Sequence, residues 1–327
     1  MTNTRSNKLE KKRKSKWFRV ILTGLVVFFL FLGLFVYKFY SDIVKAVDTM
    51  HKPISRDVSD KREEQVEFEV EDPISILLVG VDKRDGDSGR TDSMLVMTIN
   101  PEKESTKILS IPRDTRTRLI DKEKPKNSKY DKINHAYAFG GIEMSIDTVE
   151  EFLNVPIDYY VQISMEGFKD IVDAVGGIDV VNEHSFELDG TYLSKGPHHL
   201  DGEEALQYAR MRKEDPLGDF GRQARQREVI SKVIGKGASI SSVANYEDIL
   251  IALQNNIETN LTLDQMVDIQ FDYKPAAENI EKLEIEGEVE NRGKSYVIVE
   301  DTIRQALSDE LRTHLGIPTS AVSKFSK

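Results

Sequence analysis

Ile74-Ser-Ile-Leu-Leu-Val-Gly-Val81 is a nearly continuous apolar run of strand length. A strand with one wet face would alternate polar and apolar residues, so this one is expected to be buried on both faces. Downstream, Ser93–Asn100 and Thr106–Pro112 read as further strands, Ile142–Leu153 as a helix, Ile157–Ser164 as a strand, and Glu166–Val175 as a helix closed by Gly176-Gly177. A short strand over Ile178–Asn182 precedes a helix running from the acidic turn at Asp201–Glu204 to about Met211. Further helices are expected from Asp219 or Phe220 to Lys236, over Ser242–Asn256 and over Leu263–Phe271. Strands at Lys282–Glu286 and Ser295–Val299 lead to a last helix at Glu300–His314. Alternating helices and strands define an α/β class, expected here as a three-layer α-β-α domain around a central mixed sheet.

Upstream, Val20 to Tyr37 is an uncharged apolar run of 18 residues. At 1.5 Å per residue it spans about 27 Å, close to the hydrocarbon core of a bilayer. No small-x-small cleavage site separates it from the charged Lys38–Asp48 stretch, which favours an uncleaved signal anchor over a removed signal peptide. Residues 1–16 are then a basic cytoplasmic arm, 17–40 the transmembrane anchor, 41–72 a charged juxtamembrane stalk, and 73–327 an extracytoplasmic domain. The stalk assignment rests on fifteen charged side chains among its 32 residues.

The formal net charge is −11, but residues 1–19 carry eight basic side chains against Glu10 alone, a local +7 that leaves −18 for the remainder. An acidic body of this kind repels nucleic-acid phosphate. Cysteine is absent, which excludes disulfides, thiol nucleophiles and cysteine-based zinc sites. The 255 residues from 73 onward suffice for one large hydrophobic core.

Ten of the eighteen arginines fall in two windows, Arg84–Arg118 and Arg210–Arg227. Arginine offers a planar, permanent charge that matches phosphate in bidentate fashion. Arg116, Arg118 and Arg227 are expected in ordinary salt bridges, the others at a site. Arg84 and Arg90 flank a carboxylate-rich loop between two strands, where ligands of open α/β sheets collect. Its acids either pair with the arginines or hold a hard divalent cation whose bridged phosphates the arginines bind. An EF-hand would need Asp where Val81 or Arg84 stands, and Gly86-Asp87-Ser88-Gly89 lacks the rest of a serine-protease triad. His198-His199 read as loop residues rather than zinc ligands. In the second window Arg222 and Gln226 share a helix face, with Asp219 one turn earlier.

Seven blocks, in order over residues 74–230, resemble the LytR-CpsA-Psr family of Gram-positive cell-wall enzymes. They are Leu77-Leu-Val-Gly-Val-Asp82, Gly89-Arg-Thr-Asp-Ser-Met94, Ser110-Ile-Pro-Arg-Asp114, Lys132-Ile-Asn-His-Ala-Tyr137 with Gly140-Gly141, Val175-Gly-Gly-Ile-Asp179, Leu206-Gln-Tyr-Ala-Arg-Met-Arg212 and Asp219-Phe-Gly-Arg-Gln-Ala-Arg-Gln226. The overall look is that of the polyisoprenyl–teichoic acid transferase group. The resemblance implies transfer of an anionic glycopolymer, such as wall teichoic acid, from an undecaprenyl-pyrophosphate carrier to the C6 hydroxyl of N-acetylmuramic acid in peptidoglycan. It implies that Asp82 and Asp92 hold Mg²⁺ (or Mn²⁺), that Arg84, Arg90, Arg113, Arg210 and Arg212 contact phosphates, and that Asp219, Arg222 and Gln226 line the same site. An apolar tunnel for the isoprenoid is implied as well, in a single-pass membrane protein with its catalytic domain outside the cell. The expected catalytic set is Asp82, Asp92, Arg113 and Asp219, with Asp82, Asp92 or Asp219 open as the base for the acceptor hydroxyl. A non-catalytic binder of the lipid or polymer, a hydrolase of the donor and a membrane-tethered regulator are the competing readings. The last is disfavoured, since a cytoplasmic arm of about sixteen residues is too short to fold.

Overall fold

The computed structural model describes residues 4–82, 89–122, 124–237, 246–291 and 293–325. The chain divides into two units, Met1–Ala46 and Val47–Lys327. The first belongs to helix α1 (Thr4–Met50). This is the one helix among the described residues long and apolar enough to cross a membrane, with a mean hydropathy of 2.3 over its apolar part. Large apolar side chains such as Phe28, Phe31 and Leu34 are exposed on it, as they would be on a helix that crosses a membrane.

The second unit is built on a six-stranded sheet. Its strands are β1 (Ile74–Asp82), β2 (Arg90–Asn100), β3 (Ser105–Ser110), β6 (Tyr159–Ser164), β11 (Ile257–Thr259) and β12 (Ile280–Leu283), in the spatial order β11-β6-β1-β2-β3-β12. The sheet is mixed: β1 runs parallel to β6 and β3 to β12, whereas β1–β2, β2–β3 and β6–β11 are antiparallel. Hairpins decorate it: β4 (Arg116–Leu119) with β5 (Lys129–Lys132), β7 (Ile178–Asn182) with β10 (Gly196–Leu200), β8 (Phe186–Leu188) with β9 (Thr191–Leu193), and β13 (Glu288–Asn291) with β14 (Ser295–Ile298).

Alternation along β1 explains its apolar run. Leu77, Val79 and Val81 pack toward α2 (His135–Leu153) and α8 (Asp301–His314), joining Val149, Phe152 and Leu311 in one core. Ile74 and Ile76 face the opposite side with Leu95, Met97 and Ile108. That second face is covered by α5 (Asp219–Gly237) and α7 (Leu263–Asp272), through Ile230, Ile234, Met266 and Ile269. A further core joins α3 (Met165–Ala174), α4 (Gly202–Arg210) and α5 to β7 and β10. α6 (Tyr246–Asn256) completes the helices, and the expected start of that element at Ser242 lies outside the described residues.

Three expectations change. α2 begins at His135 rather than Ile142, because Gly140 and Gly141 (φ +65°) kink the helix and break its apolar period. His198 and His199 lie in β10 rather than a loop, and His199 Nδ1 contacts Asp179 at 2.7 Å across the hairpin. Much of the charged stretch before residue 73 is tied to the domain. Lys52 N donates to Thr259 O at 2.7 Å, Arg56 pairs with Glu150 at 2.6 Å, and Arg62 donates to Asp158 at 2.9 Å.

Candidate active site

The strand register positions Asp92. Gly80 faces Ser93 and Val81 faces Thr91, so Asp92 is the extra residue of a β-bulge. Bulges re-aim side chains next to functional sites. Asp82 ends β1 with its backbone opposite Arg90. Arg84 lies outside the described residues. Arg113 follows β3 and donates from Nη1 to Asp92 Oδ1 at 2.6 Å, a charge-assisted contact between half-buried groups.

The second window arrives on α5. Gly218 takes φ +56° just before the helix, a conformation that costs glycine little. Asp219 occupies the first turn, with its carboxylate 2.7 Å from Arg222 Nη2 and 3.8 Å from Arg212 Nε. Gln223 donates to the same carboxylate at 2.9 Å. Burial lowers the pKa of the Arg222 guanidinium, and the charges of Arg113 and Arg212 push the same way against Asp219 and Asp92. The two windows therefore meet in one electrostatic cluster of Asp92, Arg113, Arg212, Asp219 and Arg222. Burial also opposes the charge of Arg113, but Asp92 outweighs it and raises the pKa. Arg113 Nε and Arg222 Nε are buried donors without hydrogen-bond acceptors among the described residues, an arrangement that an anion would complete.

Behind the cluster lies a cavity of about 250 Å³. Leu78, Leu95 and Met97 of the sheet form its floor, and Phe168, Leu206 and Ile230 of the covering helices form its walls. Asp92, Arg210 and Gln226, with Ser93 and Ser164, add polar groups to this mostly apolar lining. Arg210 also bonds to Asp189 at 3.1 Å, in the turn between β8 and β9. A second cavity of about 370 Å³ lies at α2, with a polar lining that includes Arg56, Lys122, Lys124, Glu143 and Asp147.

Arg225, expected at the site, is instead a buried fastener. Its Nε donates to Tyr208 O at 2.8 Å, and its other nitrogens bind Asp215 and Met211 O. It fixes the segment between α4 and α5 that carries Arg212. Sequence spacing could not reveal this, because the partners lie at the end of α4 and on the loop after it. Arg227 pairs with Glu284 as expected, and Arg116 stacks over Tyr130 at 4.7 Å. Sequence reading also missed Asp189, whose Asp-Gly turn signals a hairpin but not its partner.

Fold and site together define an α/β domain that presents a guanidinium–carboxylate cluster beside an apolar cavity, suited to a ligand with an anionic head and a hydrocarbon chain. The chain belongs to the LytR_cpsA_psr family, which matches residues 36–313. The polyisoprenyl-teichoic acid–peptidoglycan teichoic acid transferase TagU of Bacillus cereus is 50% identical over 287 residues, covering 87% of this chain and 93% of that protein. The crystal structure of B. subtilis TagU matches with a TM-score of 0.59 at 45% identity, over 75% of this chain and 97% of that one. A structure of TagT bound to LI-WTA matches with a TM-score of 0.68 at 30% identity, over 82% of this chain and 100% of that one.

Proposed function

We propose that this protein transfers teichoic acid from a polyisoprenyl carrier to peptidoglycan. The carrier is an undecaprenyl pyrophosphate, and the bond formed is a phosphodiester to the C6 hydroxyl of N-acetylmuramic acid. The carrying observation is the joining of Arg113, Arg212 and Arg222 to Asp92 and Asp219 beside an apolar cavity. The guanidiniums bind and orient the pyrophosphate, while Leu78, Met97, Phe168 and Ile230 take the first part of the isoprenoid. Phosphoryl transfer demands positioning and charge neutralisation above all, and preformed guanidiniums supply both.

No group of three or more candidate ligands occurs among the described residues. Mg²⁺ does not need one, since it is commonly held by one or two carboxylates plus substrate phosphate. Asp82 and Asp92, at the adjoining ends of β1 and β2, are the carboxylates that would hold Mg²⁺ or Mn²⁺. A bound cation supplies charge stabilisation at the phosphates. Arg84, Arg90, Arg210 and Gln226 are assigned to substrate binding, and Arg113 and Asp219 act with Asp82 and Asp92 as the catalytic group. Charge bias places residues 1–16 in the cytoplasm and the domain outside, where the lipid donor is met at high effective concentration.

The test is metal-dependent transfer by the wild type and by Asp92→Ala. Loss of turnover in the variant supports the assignment, whereas unaffected transfer removes Asp92 from the mechanism. Donor retention without product under all conditions would make the protein a binder instead.

A further inference from the structure

The reaction proposed above requires a proton to leave the acceptor hydroxyl. Asp92 and Asp219 already face guanidiniums at 2.6 and 2.7 Å, and Asp92 is assigned to the cation above. Another candidate stands nearby. Asn134 N donates to Arg113 O at 3.3 Å, which places the first turn of α2 beside Arg113. There His135 Nδ1 lies 3.0 Å from Asp131 Oδ2, with both side chains largely buried. The contact is off the line of a good hydrogen bond, as is common in active sites before substrate binds. Asp131 is itself fixed, because its Oδ1 accepts from Lys132 N at 2.9 Å and from the Tyr296 hydroxyl at 3.3 Å. A carboxylate facing Nδ1 favours the tautomer with its proton there and leaves Nε2 as the acceptor.

The neighbouring surface suits a sugar. Phe139, one turn along α2, has its ring 6.0 Å from the His135 ring, centroid to centroid, and lines the polar cavity of about 370 Å³. Carboxylates and ammonium groups around a half-exposed aromatic ring offer hydroxyl groups both acceptors and donors. We infer that His135, oriented by Asp131, is the general base for the acceptor hydroxyl, and that the acceptor glycan lies along α2 from this cavity. The inference rests on the transferase reading. In the step, the hydroxyl proton passes to His135 Nε2 and the sugar oxygen forms a bond to the phosphorus bearing the polymer. The bridging P–O bond breaks, and its electron pair leaves with the polyprenyl phosphate.

Burial opposes ionisation of Asp131, but its hydrogen bonds hold it below the usual carboxylate range, and burial lifts Tyr296. Lys132 is paired with Asp114 at 2.8 Å, Lys129 sits 4.0 Å from the Phe139 ring centre, and Lys294 acts on Asp131 by its charge.

The test uses the full-length protein in detergent with a lipid-pyrophosphate-linked glycopolymer and a peptidoglycan oligomer. His135→Gln should lower kcat by about 100-fold or more, bind the donor within about twofold of wild type, and alter the pH profile of kcat. Asp131→Asn should lower kcat while leaving donor affinity unchanged. The inference is overturned if His135→Gln keeps the wild-type rate and pH profile, or loses donor binding in parallel with turnover. Absence of transfer by the wild type would instead overturn the transferase reading, and this inference with it.

Discussion

Arg222 is buried and feels the repulsion of Arg113 and Arg212 more than an exposed arginine would. A bound pyrophosphate would relieve that repulsion through charge-assisted hydrogen bonds. Arg222→Lys and Arg113→Lys keep the charge but lose the planar fork, and each should weaken polyprenyl-pyrophosphate binding by about tenfold or more, measured by titration calorimetry. Arg225 provides the contrast. Its pairing with Asp215 is buried on both sides, so Arg225→Ala should destabilise the fold by about 3–5 kcal/mol, read by urea denaturation. The clustering of arginines was legible in the sequence because lysine does not replace arginine at a bidentate site. Which arginine faces the site was not legible: Arg222 and Arg225 are three residues apart, and only the fold of α4 and the segment after it gives Arg225 its partners.

Among the elements, β2, β3 and α8 meet at His314. The imidazole contacts Thr98 Oγ1 at 2.7 Å and Ser105 Oγ at 3.0 Å. Burial, reinforced by Lys107 and Lys103, lowers its pKa to about 4 from 6.5. The unfolded chain therefore binds a proton between those values that the folded chain refuses. Stability should fall as pH drops from 6.5 to about 4, by up to about 3 kcal/mol, and level off below. His314→Gln should flatten that part of the curve in denaturation series at successive pH values. α3 and α4 meet at Gly202, where a Cβ would stand 2.3 Å from Lys169 O. Gly202→Ala should cost about 1–3 kcal/mol in thermal or urea unfolding, since backbone must move to admit it. Long elements were legible from their apolar periods, and β1 above all. The short hairpin strands β4, β5, β8 and β9 were not, because three or four residues carry too little periodicity and their pairing depends on distant packing. The start of α2 was hidden by Gly140-Gly141, although His135 and Phe139 lie on that hidden turn.

At the scale of the whole molecule, the sheet separates the −18 remainder of the chain into two chemically different faces. One bears the apolar cavity, and the other packs against α2, where the polar cavity lies. The total charge argued against a nucleic-acid partner of the body, yet gave no sign of the positive cluster, which only the local placement of arginines disclosed. The apolar cavity was expected from the family resemblance, but its lining residues come from three helices and three strands that no linear pattern links. Filling it should separate tail from head recognition. Val233→Trp is expected to weaken binding of undecaprenyl phosphate by tenfold or more while leaving inorganic pyrophosphate affinity unchanged. Equal effects on both ligands would place the lipid elsewhere.

The most direct measurement combines the full-length protein, a lipid-pyrophosphate-linked teichoic acid, labelled peptidoglycan oligomer and Mg²⁺, following polyprenyl phosphate and labelled conjugate together. The transferase account predicts that the two products appear in equal amounts. Release of lipid phosphate without conjugate, or no release at all, would contradict it.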